Sequence, residues 1–123
     1  MSNADTYREM VIKFNASDGD WESVRGYYHP DFRMTAVDVP ARLTFDEMLG
    51  AFDEDIKFSV GIHDMVEYGD DLVTRVKVTA TQNGKAASFD MIGWLTYKDG
   101  LLYANTGYTN TPTRLREIVQ LDR

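Results

Sequence analysis

A few side chains in this chain could do chemistry, and none stands in a complete motif. Asp38 lies in "TAVDVP", between apolar residues and just ahead of Pro40. A carboxylate there acts as a general base if burial raises its pKa toward neutrality. Beside Pro40 it equally reads as a solvated loop carboxylate. His63 precedes Asp64 in "VGIHDM". Histidine is the side chain most easily poised near neutral pH. Successive strand residues point to opposite faces, so Asp64 cannot orient His63 as a triad requires, and His63 reads also as a surface or interface residue. His29 and Asp31 flank Pro30. Two donors on one turn fall short of the three protein ligands of a catalytic zinc site, and no metal is expected. Asn105 sits in "LLYANTGYT". If buried, its amide needs a partner: Thr74, Tyr103, a water or a ligand. No serine nucleophile motif, phosphate-binding glycine loop or dinucleotide fingerprint is present, so no cofactor is expected.

The elements that would position these groups belong to one domain spanning residues 1–123. Hydrophobic residues make up 43% and charged residues 27%, an ordinary globular mix. The absence of cysteine removes disulfides, thiol nucleophiles and cysteine metal sites, and cytoplasm is the expected location. A formal net charge of -7 repels phosphate backbones, so no nucleic acid is expected. No apolar run reaches membrane-spanning length and no signal-peptide pattern opens the chain, so no membrane partner is expected either.

Thr6 and Glu9 have capping-box spacing, followed by Tyr7, Met10, Val11 and Phe14 at helical intervals. Asp20 caps a second predicted helix with Trp21, Val24 and Tyr28 on one face, ended by His29-Pro30. Residues 32–37 read as a short strand, interrupted at Pro40. Thr44 and Glu47 form another capping box before Phe45, Met48, Leu49 and Phe52, a third helix whose Phe45, Leu49 and Phe52 should pack on the sheet. Four long strands follow, turning at Gly69-Asp70, Asn83-Gly84 and Asp99-Gly100. Thr111-Pro112 opens a short terminal helix. Helices before an antiparallel meander predict an α+β fold, with the N-terminal helices packed in the concave face of a strongly curved antiparallel sheet.

The stretches "GDWESVRGYYHPDF", "TFDEMLGAF", "DMVEYGDDLVTRVKVTAT" and "FDMIGWLTYKDGLLYANTGY" resemble the nuclear transport factor 2-like (NTF2-like, or cystatin-like) superfamily, and within it the SnoaL-like proteins. The resemblance implies the cone-shaped fold. It does not select among the superfamily's steroid isomerases, epoxide hydrolases, polyketide cyclases, dehydratases and noncatalytic binders. The protonated aspartate of the isomerases falls on Gly93 and their tyrosine near Ile12, while Asp38 could serve as their base. The Asp-Arg-Asp set of the epoxide hydrolases falls on Val76, Thr74 and Gly107.

Placed by the Asn83-Gly84 turn, Phe89, Met91, Gly93 and Leu95 face the concave side, joined by Thr74, Val76 and Val78. Tyr103, Asn105, Gly107 and Thr109 join them from the last strand. The expected pocket is apolar, bounded by Tyr28, Phe32, Phe52, Val76, Phe89 and Met91. Thr74, Tyr103, Asn105 and Thr109 are its polar contacts, and it is suited to a small, largely apolar ligand. Three functions remain open: ligand binding without an assigned reaction; cofactor-independent acid-base catalysis (isomerase, cyclase or dehydratase type) with Asp38 as base; or an interaction module without ligand. A homodimer is expected through the convex face, where Arg75, Lys77, Asp90, Ile92 and Trp94 point.

Overall fold

The computed structural model describes residues 2–36, 39–50 and 55–109. Helix α1 (Asn3–Ala16) is followed by a 3₁₀ segment (Trp21–Tyr27), β1 (Tyr28–Ala36), β2 (Val39–Leu43), α2 (Phe45–Gly50) and the long strands β3 (Lys57–Tyr68), β4 (Asp71–Gln82), β5 (Lys85–Lys98) and β6 (Leu101–Thr109). The strands form one curled, unclosed sheet in the order β2-β1-β6-β5-β4-β3. Every neighbouring pair is antiparallel except β1 with β6, which is parallel. The four-strand meander runs as expected.

Two elements differ from the sequence expectation at the N-terminal end. Helix α1 is capped by Ser2, whose hydroxyl accepts from the Asp5 N–H at 3.1 Å, and not by Thr6. Ser2 has the same capping chemistry one turn earlier, and the Thr6 hydroxyl instead donates to the Ser2 carbonyl at 3.1 Å. The second helix is a 3₁₀ segment capped by Asp20, and Tyr28 already belongs to β1. Pro40 does not interrupt the sheet: it lies within β2, the edge strand, where the pairing with β1 shifts register, a place that tolerates a residue without an N–H. The third helix has the expected reciprocal box, with Thr44 N–H to Glu47 Oε1 and Glu47 N–H to Thr44 Oγ1 both at 3.1 Å. Phe45 and Met48 are buried, and Leu49 partly so. Phe52 and the terminal helix lie outside the described residues.

The hairpins obey their turn chemistry. Asn83 (φ 53°) and Gly84 (φ 77°), and likewise Asp99 (φ 55°) and Gly100 (φ 76°), all take positive φ, as two-residue turns between twisted strands require. This sets the alternation on β4: Leu72, Thr74 and Val76 are buried, while Arg75 and Lys77 are exposed. On β5, Phe89, Gly93 and Leu95 are buried, while Asp90, Ile92 and Trp94 are exposed.

The end of α1 is moored to β3, the other edge of the sheet. The Asn15 side-chain amide donates to the Val60 carbonyl at 2.9 Å, and its oxygen accepts the Val60 N–H at 2.8 Å. Two residues away along β3, the Phe58 N–H donates to the Asp18 carbonyl at 3.1 Å. The loop thus satisfies backbone groups that an edge strand would otherwise leave open. Gly19 (φ 82°) completes the contact, because a Cβ there would fall 2.5 Å from the Phe58 nitrogen.

Gly19→Ala should therefore lower the free energy of unfolding by about 2 kcal/mol or more, from positive φ and backbone overlap together. Gly61→Ala, where a Cβ meets nothing within 4 Å, should change it far less. Urea denaturation of the two variants beside wild type measures the contrast.

Candidate functional site

Between α1 and the concave face of the sheet lies a cavity of about 170 Å³. Its walls follow from two periodicities. On α1, Tyr7, Met10, Val11 and Phe14 recur at three- and four-residue intervals and so share the inner face. On the meander, Phe58 and Val60 of β3, Thr74, Val76 and Val78 of β4, and Phe89, Met91, Gly93 and Leu95 of β5 alternate inward. Trp21 and Val24 from the 3₁₀ segment, Tyr28, Met34 and Thr35 from β1, Met48 from α2, and Leu102, Asn105 and Gly107 from β6 close the remainder. No Asp, Glu, Lys, Arg or His is among the described residues that line it.

The cavity exists partly because two positions have no side chain. Gly93 and Gly107 stand opposite each other on β5 and β6. A Cβ on Gly93 would fall 3.0 Å from Thr74 Oγ1 and 3.5 Å from Asn105 Oδ1; one on Gly107 would meet the Met91 sulfur at 3.5 Å. The bare strip of backbone brings Thr74 and Asn105 together from the strands on either side. Among the described residues, Asn105 Oδ1 is buried without a hydrogen-bond partner.

The tyrosines near the wall are neutral donors. Burial pushes the Tyr7 phenol up to about 12, and the neighbouring Thr74 side chain opposes that only in part. Burial also raises the phenols of Tyr28 and Tyr97, and the nearby Tyr7 oxygen adds to both. Tyr28 is held by packing, its ring 4.8 Å from Phe32 and 4.6 Å from Phe45.

Of the residues expected to form the pocket, Tyr28, Thr74, Val76, Phe89, Met91 and Asn105 line the cavity. Phe32 is buried beneath Tyr28 and does not reach the wall. Tyr103 does not face in. The pairing of β5 with β6 shifts between Thr96 and Tyr97, whose partners are Ala104 and Leu102, leaving Tyr103 as the unpaired residue of a bulge. Its ring packs 5.1 Å from His29 and beneath the Lys98 ammonium. Asp38 and Phe52, and the side chain of Thr109, lie outside the described residues. His63 sits at a bulge in β3, exposed, with Nε2 3.5 Å from Asp90 Oδ1; Asp64 is taken by Arg75 at 2.8 Å. His29 Nδ1 accepts the Asp31 N–H at 3.0 Å. The sequence shows Tyr7, Met10, Val11 and Phe14 only as the apolar face of a helix, not as a cavity wall. Their helical periodicity reads the same whether the opposite surface touches them or stands off.

A curled sheet closing an apolar cavity against one N-terminal helix defines the NTF2-like α+β class. Within it the chain belongs to the SnoaL-like domain family, whose sequence model matches residues 8–105. Solved structures share the fold. An NTF2-like protein of unknown function from Burkholderia pseudomallei K96243 superposes with TM-score 0.74 at 18% identity, over 98% of this chain and 99% of that one. A protein from Jannaschia sp. CCS1, provisionally assigned as a SnoaL-like polyketide cyclase, gives 0.73 at 17%, over 96% and 92%. An LEH-like epoxide hydrolase from M. tuberculosis gives 0.71 at 18%, over 91% and 88%. No curated protein matches the sequence. The cavity positions Val76, Thr74 and Gly107 carry no acid or base with which to activate water on an epoxide.

The raised phenol of Tyr7 has a thermodynamic consequence. Between the unfolded value near 10 and the folded value of about 12, the unfolded chain loses a proton that the folded chain keeps. Stability from this group is full below pH 10 and falls as pH rises toward 12. Over that interval wild type should lose up to about 1.4 kcal/mol per pH unit more than Tyr7→Phe. Unfolding in urea at a series of alkaline pH values checks the difference in slope.

Proposed function

We propose that this SnoaL-like protein holds one uncharged, largely apolar small molecule in the cone cavity. The observation that carries this is the composition of the wall: largely apolar, with a few hydroxyl and amide groups and no charged side chain among the described residues. An apolar cavity of this order, ~150 Å³, is enough to bind benzene in a protein interior, so the ligand is of the order of one ring with small substituents. A charged ligand would be stripped of water with no opposite charge to receive it.

Native mass spectrometry of the protein as purified should show a bound neutral species that is released on denaturation. Gly107→Phe, which fills the bare strip from β6, should abolish it while the chain remains folded by circular dichroism. Purified protein that carries no ligand and takes up none from a panel of one-ring neutral compounds would refute the proposal.

Acid-base catalysis with Asp38 is the second reading. It draws on Thr35, which lines the cavity three residues before Asp38 in the chain. Asp38→Asn should abolish turnover of any substrate found, while its dissociation constant changes little. Equal turnover by the variant would remove Asp38 from the chemistry.

The assembly we propose is a homodimer through the convex face. Ile92, Trp94 and Tyr108 are exposed there, 45–48% of each accessible, and such apolar groups on a sheet call for cover. Arg75 and Lys77 lie beside Asp90 on the same face and could meet it across a two-fold axis. Sedimentation at micromolar concentration should give a dimer for wild type and a monomer for Trp94→Glu. Cytoplasm, where a chain without cysteine is at home, is the location we propose.

A further inference from the structure

We propose that the ligand carries a hydrogen-bond donor, a hydroxyl or an N–H, that is bound by Asn105 Oδ1 at the bare backbone of Gly93. This rests on the ligand-binding role just proposed and narrows it to a class: a neutral ring compound with at least one O–H or N–H.

The starting observation is the buried Asn105 oxygen that no group in the described structure satisfies. A buried acceptor left unmade is costly, and native proteins seldom keep one without use. The residues around it offer no remedy. Gly93, its neighbour across the strand pair, has no side chain. Leu95, opposite it in register, is apolar. Thr74 Oγ1 lies on the far side of Gly93 and makes no hydrogen bond to the Asn105 oxygen. A ligand donor is what the corner lacks.

Glycine at 93 keeps the corner open. Any side chain there would stand against both Thr74 Oγ1, at 3.0 Å, and Asn105 Oδ1, at 3.5 Å, and would close them off. Asn105 lines the cavity, and its amide turns about the Cβ–Cγ bond, a torsion with a broad, soft profile, so rotation can present the oxygen to a ligand there. The rest of the wall near the corner is apolar: Leu95 stands beside Gly93 and the Met91 sulfur beside Gly107. A ring fits there with its donor pointed into the corner. The need is specific to the oxygen, which accepts and cannot donate; the amide NH2, which is the donor, is not the buried atom without a partner. A ligand whose only polar atom is an ether or ketone oxygen leaves Asn105 Oδ1 as unsatisfied as before.

Three probes of similar size separate the possibilities: phenol, anisole and toluene, titrated into wild type with binding followed by NMR shifts of the backbone amides. Phenol should bind about tenfold or more tightly than anisole, since only phenol satisfies the acceptor. In Asn105→Leu that preference should vanish, with toluene binding at least as well as in wild type. Gly93→Ala should weaken phenol and leave toluene largely unchanged. If toluene and anisole bind as well as phenol in wild type, the donor inference is overturned and the apolar cavity stands. If anisole is preferred, the corner reads an acceptor and the inference is likewise overturned. If none of the three binds, it falls together with the ligand-binding proposal. The comparison within wild type decides the matter even if a variant does not fold.

Discussion

The mooring of α1 on the edge of β3 is the contact on which the interior depends. Asn15 takes both backbone groups of Val60, and the Asp18 carbonyl takes the N–H of Phe58. These bonds fix one end of the helix to the rim of the sheet. From that rim, Tyr7, Met10, Val11 and Phe14 extend across the concave face as a wall. Hydrophobic attraction alone is non-directional and would draw the helix onto the sheet. Directional bonds at the rim, with the Gly19 backbone seated against Phe58, hold the helix at a fixed place. Curvature of the sheet and the missing side chains at 93 and 107 then leave a space between them.

What the space can do follows from its walls. The charged groups described in the structure are at the surface, in pairs such as Arg25 with Glu22 and Asp46, or Arg75 with Asp64. Exposed pairs of that kind add little to stability, and they leave the interior neutral. Recognition inside therefore rests on shape and on hydroxyl and amide groups. The phenols of Tyr7, Tyr28 and Tyr97 stay protonated across the physiological range because burial disfavours their anions.

Much of the fold was legible in the residues. The Asn83-Gly84 and Asp99-Gly100 turns set the meander, and one turn of known geometry sets the facing of a whole strand pair. That facing alone puts Thr74, Val76, Phe89 and Met91 on the concave side, where they line the cavity. Where the ladder slips, the alternation argument loses count: the bulge at Tyr103 sends that ring outward to His29, and the bulge at His63, a residue read correctly as a surface one, puts Asp64 on the same outer face, against Arg75. A bulge adds one residue without changing composition, so nothing in "LLYAN" announces it. Pro40 misled in a similar way, because proline forbids a central strand but is harmless on an edge, and which strand is an edge is a property of the whole sheet.

The chain by itself determined the capped third helix, the order of helices before strands, the two positive-φ hairpins and the alternation of side chains along β4 and β5, because each is set by residues within a few positions of one another. The tertiary structure alone decided that β1 pairs parallel with β6, that Asn15 clamps Val60, forty-five residues away, and that Gly93 and Gly107 meet to bare one strip of wall. It alone decided that the oxygen of Asn105 would be buried beside that strip without a partner. These depend on which distant segments become neighbours, and local spacing in a sequence holds no record of that.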